Sequence, residues 1–139
     1  MNEQYMPRHK QPLKNEEAAL LSADVLAYVG DSVHSVYVRS RLATCKKCKI
    51  RVLHSIASKE VSAPAQAVAI KNIESILTED ESTIFKRCRN SCNPNVPKHS
   101  SVAEYNLASG FEGLIGYLYL TGQDERLASL MEIAYPNTN

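Results

Sequence analysis

Apolar residues recur with a helical period almost from end to end of the chain. Between Glu17 and about Ala43, Leu20, Leu21, Val25, Leu26, Val29, Val33, Val36 and Tyr37 return at the spacing of one helix face. Ser22 interrupts the run as a candidate cap that splits a short first helix from a long second one. After a basic connector at 44–51, Leu53, Ile56, Ala57 and Val61 resume the period. Ser62 followed by Ala63 and Pro64 reads as a new start, because proline is tolerated in a first helical turn and breaks an interior one. That helix is expected to reach Leu77. Thr78 with Glu81 three residues on has the capping-box form and opens a helix to about Arg89. The stretch from Asn93 to Pro97 forbids regular structure. Periodicity returns from Ser101 to Leu120, with Gly122 as the expected C-cap, and a last amphipathic helix runs from about Asp124 to Ala134. No segment alternates polar and apolar residues as a half-buried strand does. The expected fold is all-α.

A chain of 139 residues makes one domain with one core. Residues 1–15 mix prolines, charges and amides without a period and read as a flexible N-terminal tail. Residues 16–135 form the expected domain and 136–139 a C-terminal tail. An apolar fraction of 44% excludes a disordered chain, and a net charge of +1 carries no overall basic signature for nucleic acid. No apolar run approaches the roughly 20 residues that span a bilayer, and the N-terminus lacks the hydrophobic segment of a secretory signal. The expectation is a soluble, cytoplasmic protein with no membrane partner.

The distribution of charge says more than its sum. No acid occurs between Ser32 and Lys59, whereas Arg39, Arg41, Lys46, Lys47, Lys49, Arg51 and Lys59 all do. A second basic cluster, Lys86, Arg87, Arg89 and Lys98, brackets the proline-rich stretch. Such segregation suits a polyanion, since each neutralised phosphate releases counterions. It equally suits a pair of solvated helix faces.

Three acids stand where the helical pattern favours carbon: Asp24 and Asp31 on the long second helix and Glu112 on the late one. Asp24 precedes Asp31 by seven residues, which brings it back to nearly the same face about 10 Å along the axis. A carboxylate on a packed helix must find a cation, a donor or a metal. Asp31 and Glu112 also each adjoin a glycine, Gly30 and Gly113, and glycine in a helix interior costs about 1 kcal/mol relative to alanine. That cost is sensible where another helix or a hydrated ion must come close. Two carboxylates with room for water suit Mg²⁺, which keeps several waters and is completed by substrate phosphate. Acids for a metal beside bases for phosphate point to a nuclease.

Cys45, Cys48, Cys88 and Cys92 form two short-spaced pairs, a pattern that raises a zinc site, although the spacing departs from the usual fingers. A zinc-stabilised interaction module is therefore one alternative function. A non-catalytic protein that binds structured RNA is another.

The segments LAYVGDSVHSVYVR (26–39), VSAPAQA (61–67), RCRN (87–90), VPK (96–98) and SGFEGLIGYLYLTGQDERL (109–127) resemble, in order and spacing, the Mini-III branch of the ribonuclease III family. The likeness spans about residues 18–134. It implies a helical ribonuclease III fold that works as a homodimer and cleaves double-stranded RNA with Mg²⁺, Mn²⁺ being a substitute. It also implies maturation of the large-subunit (23S) ribosomal RNA precursor. By motif position Asp31 and Glu112 would be catalytic and hold the metal, with Asp24 a second-shell or water-mediated ligand. Arg87, Arg89, Asn90 and Lys98 would contact RNA, joined by Lys46 and Lys47 of the basic connector. The chain departs from the family in places. Ser109 and Ala27 stand where larger members carry acids, Pro64 where the branch usually has lysine, and Gly113 where alanine is usual. The four cysteines are no part of the family pattern.

Overall fold

The computed structural model describes residues 7–9, 11–45, 47–91 and 101–136. Within them run the α-helices α1 (Asn15–Ala19), α2 (Ala23–Cys45), α3 (Ile50–Glu60), α4 (Ala63–Lys71), α5 (Glu79–Arg89), α6 (Val102–Leu120) and α7 (Asp124–Ala134). A single 3₁₀ turn, Glu74–Ile76, lies between α4 and α5. Among the described residues there is no strand, as the periodicity requires, and no helix long and apolar enough to cross a membrane.

Helix α6 loses its polar stripe after Ser109, and a helix that is apolar all round belongs in the interior. Phe111, Leu114, Ile115, Tyr117 and Leu118 are all buried. Around them pack α2, α4, α5 and α7, contributing Leu26, Ile70, Ile84, Phe85, Leu127 and Leu130 to the same core. A smaller cluster of Val38, Leu42 and Ala57 joins the far half of α2 to α3.

The two central helices, α2 and α6, touch backbone to backbone. A Cβ added at Gly30 would lie 1.7 Å from the carbonyl oxygen of Glu112, and one at Gly116 would lie 2.0 Å from that of Leu26. The costly glycine before Asp31 is thus explained by another helix rather than by an ion. Gly113 faces the opposite way, where an added Cβ would stand 2.2 Å from Sγ of Cys88 on α5. The departure from alanine at 113 is matched by a cysteine against it. Gly113→Ala should therefore destabilise the protein by about 1–2 kcal/mol, overpacking against Cys88 outweighing the gain in helix propensity. Thermal unfolding checks this, and a melting temperature at or above that of the parent would contradict the tight fit.

Short-range chemistry sets most helix ends. The Thr78 hydroxyl accepts from the Glu81 amide at 3.2 Å while the Glu81 carboxylate accepts from the Thr78 amide at 2.9 Å. Ser101 and Glu104 repeat the arrangement at the start of α6. The Ser62 hydroxyl accepts from Ala65, and that of Ser22 from Val25, marking the starts of α4 and α2. After α6 the chain reverses at Gly122, whose φ of 71° is left-handed. The helix expected to reach Leu77 instead stops at Lys71. Its next residue, Asn72, donates through its side chain to the carbonyl of Ala134 at 3.0 Å, a tertiary bond to the end of α7. Within the segment read as an N-terminal tail, the Leu13 amide donates to the Leu120 carbonyl at 2.8 Å. Arg8 pairs with Asp124 and stacks over the Tyr119 ring.

Candidate active site

Asp31 follows Gly30 on α2, and Glu112 precedes Gly116 by one turn on α6. The close approach at the two glycines therefore fixes how far apart the carboxyl groups can be. Both line one open cavity of about 540 Å³, together with Asp24, Ala27, Cys88 and Ser109. Asp31 is exposed on its rim, while Glu112 is half-buried in its wall. Burial, reinforced by the neighbouring Asp31 carboxylate, raises the Glu112 carboxyl to about 8. The neutral form of Glu112 is thereby favoured in the metal-free site, as expected of a half-buried carboxyl beside another acid.

Three carboxyl groups, those of Asp24, Asp31 and Glu112, face one open cavity. The donor set is oxygen only, the paired acids call for positive charge, and the cavity has room for a hydration shell. A hard ion such as Mg²⁺, which takes one or two carboxylates and keeps water, matches the set. Asp31 and Glu112 are the residues that could hold it, with Asp24 on the same wall two turns earlier. Ala27 and Ser109, the positions where larger family members place acids, open onto this cavity too. Their small side chains supply the room, which the glycines do not. Among the described residues no group of three or more His, Cys, Asp or Glu side chains is placed to hold a metal.

One participant escaped the sequence reading. Gln66 of α4 is buried, and its side-chain amide donates to the Glu112 carboxylate at 3.3 Å and to the Val61 carbonyl at 2.9 Å. The signal was present, since a lone amide in the apolar run APAQAVAI is as anomalous as an acid in one. His34, one turn beyond Asp31, is also buried, with Nε2 2.6 Å from the Tyr135 hydroxyl. Burial lowers it to about 4, against the pull of Asp31, so it packs as a neutral ring beside Phe111.

The expected RNA contacts are dispersed over the surface. Arg87 is exposed, yet its guanidinium donates to the carbonyls of Ala19 at 2.6 Å and Leu21 at 2.9 Å, closing the end of α1. Arg89 donates to Asn90 and lies over Phe85 at the end of α5. Lys47 is exposed in the connector between α2 and α3, whereas Lys46 and Lys98 lie outside the described residues. Of the basic run that follows Ser32, Arg41 is engaged with Glu60, while Arg39, Lys47, Lys49, Arg51 and Lys59 stay exposed. The four-cysteine constellation is described only in part. Cys48 is exposed and Cys88 buried, both as free thiols, while the Cys45 side chain and Cys92 fall outside the described residues.

Comparison with known proteins places the sequence and the fold in a family. The Ribonuclease III domain model matches residues 24–123, which include both carboxylates and the helix crossing. A Mini-ribonuclease 3 from Thermoanaerobacter sp. is 41% identical over 122 residues, covering 88% of this chain and 86% of that protein. Another from Enterococcus faecalis is 42% identical over 113 residues, covering 80% and 86%. A crystal structure of a protein from Fusobacterium nucleatum superposes with a TM-score of 0.75 at 28% identity, covering 81% of this chain and 86% of that one. On the strength of the domain match, of relatives that align over most of their own length, and of a shared helical fold, the chain belongs to the ribonuclease III family, in its Mini-ribonuclease 3 branch.

Proposed function

We propose that the protein is a divalent-metal-dependent endoribonuclease that cleaves double-stranded RNA. The observation that carries this reading is that Asp31 and Glu112, from distant parts of the chain, line the same open cavity. When bound there, Mg²⁺, or Mn²⁺ in its place, supplies an activated water and neutralises charge at the scissile phosphate. The protein's part is positional. Asp31 and Glu112 hold the ion and orient the attacking water towards phosphorus. Asp24 reaches the same shell through water. Ala27 and Ser109 leave space for that water and for the phosphate.

Arg89 and Asn90 at the end of α5, with Lys47 at the tip of the α2–α3 connector, are the described side chains that would meet phosphate or 2′-hydroxyl groups. Duplex RNA is recognised through such shape-dependent contacts. Arg87 steadies the turn beneath them, and Lys46 and Lys98 extend the set. Val25, Tyr28 and Val36 leave an exposed apolar stripe along α2. Beside it Val33, Tyr37, Leu127 and Met131 line an apolar groove of about 280 Å³. This face suits a second copy of the chain, and a two-fold dimer suits a duplex whose strands run antiparallel. Each site would then cut one strand, leaving 5′-phosphate and 3′-hydroxyl ends with a short 3′ overhang. The substrate that the branch implies is the large-subunit (23S) ribosomal RNA precursor, processed in the cytoplasm.

The test is incubation of an end-labelled precursor-rRNA stem with the protein and Mg²⁺. Staggered cuts on both strands, with 5′-phosphorylated products and none in EDTA, are expected. Intact RNA held in a stable complex with Mg²⁺ present would refute the enzymatic reading in favour of a binding protein.

A further inference from the structure

Gln66 is 2% exposed, and among its neighbours on α4 there is no other polar side chain for it to satisfy. Burying an amide is costly unless it is hydrogen-bonded, and leucine would fill the same volume without that cost. Even so, Gln66 is only partly satisfied. One amide hydrogen goes to the Val61 carbonyl and the other to Oε2 of Glu112, while its own Oε1 has no partner among the described residues. The two bonds that its amide makes place a donor directly against the Glu112 carboxylate. The donor springs from a pinned support, since Ser62 caps α4 and the Val61 carbonyl, just before that cap, holds the same amide. Glu112 therefore has one oxygen tied to α4, while the residue lines the cavity that Asp31 also lines.

We propose that Gln66 is a positioning residue for the cation site: by clamping one Glu112 oxygen between α4 and α6, it fixes the rotamer in which Glu112 and Asp31 share a divalent ion. The proposal rests on the reading of those two acids as metal ligands. Partners that orient a ligating carboxylate in this way typically contribute about 10–100-fold to metal affinity or activity.

Mn²⁺ binding to the RNA-free protein, followed by electron paramagnetic resonance, tests it. Gln66→Leu should bind Mn²⁺ about 10–100-fold more weakly, while its affinity for duplex RNA in EDTA stays at the parental value. Parental Mn²⁺ affinity in folded Gln66→Leu would overturn the role of Gln66 alone, provided that Asp31→Asn is weakened. Parental affinity in Asp31→Asn as well would overturn the carboxylate reading beneath it. If Gln66→Leu does not fold, the wild-type protein decides through the ¹⁵N-labelled side-chain amide of Gln66. A shift of that signal on addition of Mg²⁺ supports the clamp, and an unmoved signal overturns it.

Discussion

Asp31→Asn and Glu112→Gln should each lower kcat for duplex cleavage by about 10³-fold or more, which corresponds to ~4 kcal/mol of lost transition-state stabilisation. Either change leaves a nearly isosteric amide, so the cavity keeps its shape while losing the anion that a cation needs. Stability should move the other way. In the metal-free protein the Glu112 carboxyl is raised to about 8 by burial and by Asp31. Between its ordinary range and that value the unfolded chain releases a proton that the folded one retains, so stability falls as pH rises. A glutamine at 112 suffers no such loss. Glu112→Gln should therefore melt above the parent at pH 9 without metal, with the gap closing towards pH 4. Steady-state kinetics and thermal scans at the two pH values read both effects. Cleavage within tenfold of the parent in either variant would show that the chemistry lies elsewhere.

Gly30→Ala is the second large effect, and its sign is unusual. In an ordinary helix, exchanging glycine for alanine stabilises by about 0.4–1 kcal/mol. Here the new methyl would arrive 1.7 Å from the carbonyl oxygen of Glu112 and 2.9 Å from the amide nitrogen of Gly116. Both obstacles are backbone, so no side-chain rotation makes room and α2 must move off α6. Overpacking typically costs about 1–3 kcal/mol; with backbone on both sides, ~3 kcal/mol or more is expected, a large part of the about 5–15 kcal/mol that holds a domain together. Separation of the helices also parts Asp31 from Glu112, so cleavage should fall further than the folded fraction does. Urea unfolding alongside cleavage rates measures the two losses. A variant as stable as its parent would mean that the helices do not meet at Gly30.

Much of this was legible in the sequence because each signal was local. The helices follow from apolar spacing, and their starts at Ser62, Thr78 and Ser101 from side chains bonding three residues ahead. Asp31 and Glu112 stood out as charges in apolar company. What stayed hidden depended on contacts between distant segments. Nothing near Asn72 announces that its amide will reach Ala134 and end α4 early. Nothing in RCRN shows that Arg87 will close the end of α1 through the carbonyls of Ala19 and Leu21. The glycine beside each acid signalled a close approach but not what approached. The answer proved different in the two cases: helix backbone at Gly30 and a thiol at Gly113.

The two acids lie about eighty residues apart in sequence and meet only where α2 crosses α6. Neither helix presents the pair by itself, so the two acids come together only once α6 has packed on α2. Long-range closure, usually counted as a kinetic burden on folding, here makes the pairing of the two acids a property of the finished helix crossing and of neither segment alone.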